Sequence, residues 1–315
     1  MILCVAGNPS IDKLFEIDRI ELGSLHRPSH FVQVPGGKGL NVARAASSLG
    51  APVMVTGVLA GHAGRWIDDE LTAEGVGHRF VWAESGETRS SLSVAESDHA
   101  HLTEFYEAGT PLTGEDWGAL ETTVGELLSR ASWIAISGSL PPGAPADAYA
   151  RFTAAARAAG VHASVDSRGR HLAEAIEEKP DLVKINVHEA EELLGHAIEG
   201  VRGAHAAALE IRERCGGEGH AAVVTMGAEG AVLVEPGGTA MHGRLYAKGS
   251  YPVGSGDSFL AGLLAALDTR KRWEGALRLA LGAATANAEQ PGAGRLDPGR
   301  AMELAGRSEI SALSE

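Results

Sequence analysis

The sequence predicts an α/β protein, a doubly wound, mostly parallel sheet flanked by helices, with a small β-sheet lid. Three observations carry this. Apolar runs of strand length alternate with Ala- and Leu-rich helical stretches. Two zones break the alternation with period-2 strands and no helix between them. Glycine clusters fall where a strand hands over to a helix.

The apolar runs are ILCVA (2–6), VMVTGVL (53–59), WIAIS (133–137), HASVD (162–166), DLVKI (181–185) and AAVVT (221–225). Continuous apolar character marks strands covered on both faces, as in parallel sheets. Helices are expected at 38–49, 63–74, 113–129, 145–159, 187–195, 203–214, 256–267 and 273–288. The exceptional zones contain LFEIDRI and HFVQV, then TRSSLSVAE and HLTEFYE, four strands expected to form a small antiparallel sheet. This divides the chain into a nucleotide- and sugar-binding body at 1–12, 36–87 and 107–315, and a lid at 13–35 and 88–106.

A chain of 315 residues, 44% hydrophobic and 22% charged, can bury a full core. Its net charge of −14 argues against nucleic acid or an anionic membrane as partner. Cys4 and Cys215 are too few for a disulfide framework and lack metal-site spacing, which fits a reducing cytoplasm. The opening MILCVAG has no basic leader and its apolar run ends at Asn8-Pro9, so it does not read as a signal peptide; nor is there an 18-residue apolar stretch. His99 and His101 are spaced for one face of a strand, either merely exposed or a metal pair.

Asp257 stands where VGSGD runs into an oily helix. Gly254, Ser255 and Gly256 leave backbone N–H groups open at a helix start, a place suited to anions, and the acid either caps the helix or does chemistry. A second cluster, PGGKGLNVARA, offers Gly36, Gly37 and Gly39 for close backbone approach, with Lys38 and Asn41 adding a cation and an amide. It is neither a Walker A loop nor G-x-G-x-x-G, and a tight strand-to-helix turn explains it equally well. Asp12 in GNPSID and Ser139 in SGSLPPG follow strands, where open α/β sheets bind ligands and where plain turns also occur. Lys184, Asn186 and Glu189 share the next junction, and Asn186 with Glu189 is also a capping box. Thr225, Gly227 and Gly230 read alone as a hairpin-type turn.

Taken in order along the chain, these segments resemble the ribokinase-like (phosphofructokinase-B) sugar kinase family over nearly the whole length. PGGKGLNVARA and VGSGDSFLAGLL are the most specific, with GNPSID, ETR, SGSLPPG, VKINVHE and VTMGAEG in family order between them. The arrangement is similar to the branch of 1-phosphofructokinases and tagatose-6-phosphate kinases. That resemblance implies γ-phosphoryl transfer from ATP, with Mg²⁺, to a hydroxyl of a phosphorylated ketohexose. Tagatose 6-phosphate, fructose 6-phosphate and fructose 1-phosphate are the implied acceptors. It makes Asp257 the catalytic base and Gly254, Ser255 and Gly256 the anion hole.

The same resemblance places Asp12, Gly37, Lys38 and Asn41 around the sugar and Arg27, Arg89 and Ser139 on its phosphate. Lys184, Thr225, Gly227, Gly230 and Asn287 fall to the nucleotide, and Asn186 and Glu189 act on Mg²⁺ through its waters. A homodimer through the lid is a further expectation, because exposed sheet edges and an apolar face invite cover. The chain departs from the branch in three places. Ser90, Ser91, Leu92 and Ser93 follow Thr88-Arg89 where many 1-phosphofructokinases have Asn and Lys; Ser255 replaces the commoner Ala; Ile185 replaces Pro. Two other readings stand beside the first: a kinase of an unphosphorylated sugar or nucleoside, and a non-catalytic sugar or nucleotide sensor on the same fold.

Overall fold

The first strand, β1 (Ile2–Ala6), is completely buried, and its side chains alternate between two cores. Ile2, Cys4 and Ala6 face one hydrophobic cluster and Leu3 and Val5 the other, so helices cover both faces of the sheet it belongs to. The structure, a computed structural model, describes residues 1–96, 101–247 and 249–314.

In chain order β1 is followed by β2 (Ser10–Ile17), β3 (His30–Gly36), α1 (Lys38–Ser48), β4 (Val53–Leu59), α2 (Gly61–Ala73), β5 (Val81–Trp82), β6 (Arg89–Glu96) and β7 (Leu102–Tyr106). Then come α3 (Gly114–Leu128), β8 (Trp133–Ser137), α4 (Ala148–Ala159), β9 (His162–Asp166), α5 (Gly169–Glu177), β10 (Leu182–Asn186), α6 (Val187–Leu194), α7 (Gly200–Arg214) and β11 (Ala221–Thr225). The chain closes with β12 (Ala231–Val234), β13 (Ala240–Arg244), α8 (Ser255–Asp268), α9 (Trp273–Ala288), α10 (Pro298–Arg307) and β14 (Glu309–Leu313). The large sheet has ten strands in the order β14-β13-β12-β11-β10-β9-β8-β1-β4-β5. It is parallel from β5 to β11 and antiparallel from β12 outward.

All six apolar runs are strands of this sheet. α5, α10 and β12 to β14 were not expected from the sequence. Gly227 and Gly230, at φ 57 and 94, turn β11 back into β12, so the hairpin reading of that segment describes its backbone. A Cβ on Gly230 would lie 2.0 Å from the Gly243 carbonyl, which is why this turn requires glycine.

The second sheet has the order β3-β2-β6-β7. It is mixed rather than antiparallel: β2 and β6 run parallel, pairing Ser10 with Arg89 and Asp12 with Ser91. They are joined by a long excursion through β3, α1, β4, α2 and β5, which frees them from the antiparallel sense of a hairpin. β2 already begins at Ser10, so Asp12 lies on a lid strand. Leu22, Leu25, Phe31 and Phe105 are exposed on the lid.

α8 is apolar nearly all round because it is wedged between α1 and α9 and buried from Asp257 to Ala266. Gly262 permits the contact with α9: a Cβ there would sit 2.7 Å from the Leu279 carbonyl.

Candidate active site

The carboxyl ends of β1, β8, β9, β10 and β11, the start of α1 and the start of α8 surround one cleft of about 1020 Å³ roofed by the lid. Ligand pockets typically span about 300–1,000 Å³, so this cleft has room for two substrates. Asp12, Gly37, Lys38, Asn41, Arg89, Ser139, Lys184, Asn186, Glu189, Thr225, Gly227, Gly230, Gly254, Ser255, Gly256 and Asp257 all line it. Arg27 does not; it lies in the exposed β2–β3 loop, outside the cleft of the single chain.

Asn287 does not face the cleft either. It is fully buried and works as a brace. Its Nδ2 donates to the Val253 carbonyl at 2.9 Å, and its Oδ1 accepts from Gly294 N at 2.8 Å and Ser258 Oγ at 3.1 Å. This fixes the loop that enters α8, so the expectation that Asn287 borders the adenine is corrected to a supporting role behind the glycines.

Gly254 adopts φ 81 and caps α8 with no side chain; the Ser255 N–H donates to the Pro252 carbonyl at 3.1 Å, and the next N–H groups, of Gly256 and Asp257, have no side-chain cap at the edge of the cleft. Asp257, at the third helical position, does not cap the helix. Its Oδ2 accepts from Asn41 Nδ2 of α1 at 2.8 Å, while Asn41 Oδ1 is buried with no protein partner. Burial foremost, then the negative charge of Asp166, push the Asp257 carboxyl up from 3.8 to about 7, against the pull of Lys38, Lys184 and the Asn41 hydrogen bond. Such a carboxyl changes protonation near neutrality, the property of a general base.

Beneath it lies a charge cluster whose centre was not singled out in the sequence. Asp166, the last residue of β9 and fully buried, accepts from Lys38 Nζ at 2.7 Å and from Lys184 Nζ at 2.7 Å. Burial opposes its ionisation, but Lys184 and Lys38 outweigh burial and hold the carboxyl below its ordinary value. For Lys38, burial likewise opposes the charge, and Asp166, Glu189 and Asp257 together hold its ammonium above the usual lysine range. Lys38 also meets Glu189 Oε1 at 2.9 Å. A Cβ on Gly256 would lie 3.0 Å from Lys184 Nζ, so this ammonium stands beside the open end of α8. The clue to Asp166 was a carboxylate ending a buried strand at the ligand-binding edge of the sheet.

Asn186 and Glu189 form the expected capping box. Asn186 Oδ1 accepts from Glu189 N and Glu189 Oε2 from Asn186 N, both at 2.9 Å. Their oxygens are of the kind Mg²⁺ prefers, yet each already has an internal partner, and no cluster of three or more His, Cys, Asp or Glu side chains suited to a metal occurs among the described residues. The set therefore fits a hydrated ion contacted through its water shell, not a cage of direct ligands. His99 lies outside the described residues; His101 Nδ1 sits 3.3 Å from Glu96 Oε2, away from the cleft.

On the lid side, Asp12 accepts from Ser10 Oγ at 2.6 Å and from Gly37 N at 3.3 Å, and burial raises its carboxyl against those two bonds and the charges of Arg89 and Arg44. Gly36 makes room for it: a Cβ there would lie 2.0 Å from Asp12 Cγ. Arg89 reaches the Asn8 carbonyl at 3.2 Å and Ser91 Oγ at 2.9 Å. Arg44, also unforeseen, is buried and bidentate with Glu74 at 2.6 Å. It donates to the carbonyls of Pro35 and Ala293 as well, tying the end of β3 to the loop behind α8. Tyr251 Oη donates to Glu16 Oε1 at 2.9 Å, joining the far half of β2 to the loop before Gly254.

An open α/β sheet with a β lid, a glycine-capped helix and a buried carboxylate over a lysine cluster define a phosphoryl-transfer type of site. The sequence profile of the pfkB family carbohydrate kinases matches residues 5–299, and the chain belongs to that family. It is 33% identical to a 1-phosphofructokinase of Xanthomonas campestris, with 99% of this chain and 98% of that protein aligned. It is 31% identical to a 1-phosphofructokinase of Bacillus subtilis, over 93% and 94% of the two chains. Among solved structures, phosphofructokinase-2 from Escherichia coli in complex with substrates and products superposes with a TM-score of 0.87 at 27% identity, covering 97% of each chain. As a member of a kinase family the chain takes ATP as its phosphoryl donor.

Proposed function

We propose that this protein transfers the γ-phosphoryl group of ATP to a hydroxyl of a phosphorylated ketohexose, with fructose 1-phosphate the first acceptor to test beside fructose 6-phosphate and tagatose 6-phosphate. The observation that carries the chemistry is Asp257, buried at the open end of α8, hydrogen-bonded to Asn41 and tuned to about 7. The two relatives at 33% and 31% identity, both 1-phosphofructokinases, support the acceptor class.

In this reading Asp12 and the free Oδ1 of Asn41 grip the acceptor's hydroxyls, while Gly37 and Lys38 line its flank. Arg89 and Ser139 meet its phosphate, and Arg27 does so only if a second subunit brings it there. Thr225, Gly227 and Gly230 border the nucleotide, with Lys184 beside its phosphates. Asn186 and Glu189 would hold Mg²⁺ through its waters, and the ion would supply positive charge against the phosphates. Asp257 takes the proton of the attacking hydroxyl as the new P–O bond forms, and the N–H groups of Gly254, Ser255 and Gly256 receive the charge on the migrating group. Lid closure excludes water, which would otherwise accept the phosphoryl group. The exposed Leu22, Leu25, Phe31 and Phe105 support a homodimer through the lid, and a monomer at micromolar concentration in analytical ultracentrifugation would refute it. Among the described residues no helix is long and apolar enough to cross a membrane, and we propose a cytoplasmic location.

The test is ADP release from Mg·ATP across free sugars, nucleosides and C1- and C6-phosphorylated ketohexoses, with Arg89→Gln alongside. Turnover at about 1–100 s⁻¹ with one phosphorylated ketose is expected, with a raised KM for that sugar in the variant. Turnover confined to unphosphorylated acceptors would move Arg89 out of the site. Absence of all turnover in a protein that binds ATP would support a sensor.

A further inference from the structure

The cleft must hold two polyanions, yet its cations are largely spent on the protein itself. Among the described lining residues the carboxylates are Asp12, Glu107, Glu189 and Asp257, and the cations are Lys38, Arg89, Arg168 and Lys184. Lys38 is bound to Asp166 and Glu189, Lys184 to Asp166, and Arg89 is engaged by Asn8, Glu107 and Ser91. Arg168 differs: its side chain is exposed and has no hydrogen-bond or ion-pair partner among the described residues. Several guanidinium groups of this acidic chain are taken up by carboxylates, as Arg44, Arg151, Arg157, Arg170 and Arg300 are, but Arg168 is not. An unengaged one at the cleft of a phosphoryl-transfer site is positioned for an incoming anion.

Its place in the fold selects which anion. Arg168 stands two residues beyond the end of β9, the strand between β8, which leads to Ser139, and β10, which ends at Asn186. The next residue, Gly169, leans toward α6: a Cβ there would lie 3.3 Å from Glu192 Oε1, one helical turn from Glu189. Arg168 thus belongs to the side of the cleft bounded by α6, whereas Arg89 and Asp12 occupy the lid side.

We propose that Arg168 binds the β- and γ-phosphates of the nucleoside triphosphate and stays on the β-phosphate of the departing diphosphate. This rests on the kinase reading of the cleft and adds a residue to it. In the transfer, the bond between the γ-phosphorus and the β–γ bridging oxygen breaks, its electron pair stays on the diphosphate, and the acceptor's proton goes to Asp257. Arg168 supplies the positive charge that the committed lysines do not, and its planar fork suits paired phosphate oxygens.

The experiment is isothermal titration of the wild type, Arg168→Gln and Arg168→Lys with AMP, ADP and ATP in the presence of Mg²⁺ and without sugar, followed by steady-state kinetics. Arg168→Gln is expected to weaken ADP and ATP by about 10- to 100-fold, the range for a hydrogen bond to a charged group, and to leave AMP unchanged. Arg168→Lys is expected to recover part of the loss. Unchanged ADP affinity, an equal loss for AMP, or a rise confined to the KM of the sugar phosphate would each overturn the proposal. Because nucleotide binding is read without turnover, a wild type that binds ADP but phosphorylates nothing defeats the kinase reading and leaves the Arg168 result interpretable.

Discussion

Replacing Asp257 by Asn separates a catalytic carboxyl from a helix cap, because the two roles move stability in opposite directions. The side chain accepts from Asn41 and caps nothing in α8, and an amide oxygen can accept the same bond, so the substitution removes charge and little else. Burial and the neighbouring Asp166 raise the carboxyl from 3.8 to about 7, so the folded protein holds this proton more tightly than the unfolded chain does. Ionising Asp257 therefore costs stability. The cost is absent below the unfolded value, grows as pH climbs from about 4 to about 7, and is complete above 7. Three pH units correspond to about 4 kcal/mol, and the share recovered by Asn is on the order of 2–4 kcal/mol. Urea unfolding at pH 8 should show Asp257→Asn more stable than the wild type by that amount, with the gap shrinking toward pH 5. Turnover should fall by about 10²–10⁴. A variant less stable than the wild type by about 1 kcal/mol at both pH values would instead be the signature of a lost cap, and would refute the reasoning.

The same carboxyl sets the pH profile: kcat/KM should fall tenfold per unit below about pH 7, and a flat profile to pH 5 would exclude Asp257 as the base. Lys184→Met leaves the buried Asp166 with only Lys38, and a loss of about 3–5 kcal/mol in denaturant unfolding is expected. Gly36→Ala drives a methyl into the Asp12 carboxyl, so kcat/KM for the sugar should drop at least tenfold while ADP affinity measured by calorimetry stays the same. Withdrawal of Mg²⁺ by a chelator should abolish turnover and leave the thermal unfolding midpoint without nucleotide unmoved, since Asn186 and Glu189 are satisfied within the chain.

The parallel part of the sheet was legible because ILCVA, WIAIS and AAVVT are buried on both faces and carry that fact as unbroken apolar character. β12 and β13 were not, since AVLV is only four residues long and AMHGR is interrupted by His242 and Gly243. α5 and α10 escaped because their buried residues, such as Leu172 and Leu304, are few among charged neighbours. The sense of β2 against β6 depends on a crossover that no local pattern records. Glycine motifs announced the positions where ligands approach backbone. Asp166 and Arg44 stayed hidden because their importance lies in partners 9 to 249 residues away. Asn287 was misplaced for the same reason: its amide is spent on the loop of Val253 and Gly294.

β2 starts in full burial at Ser10, carries Asp12 one turn of pleat later, and continues without a break into the lid, where Glu16 is tied to Tyr251. There is no slack joint between the roof and the carboxylate beneath it. A rotation of the roof acts on Asp12 as a lever acts on its short arm, and through Tyr251 the same rotation pulls on the loop ahead of Gly254. With Asp12 holding the acceptor as proposed, the roof angle and the alignment of the helix start would act on it as a single mechanical coordinate. Changes made far out on the roof should register as altered affinity for the acceptor, even where no side chain on the cleft wall has been touched.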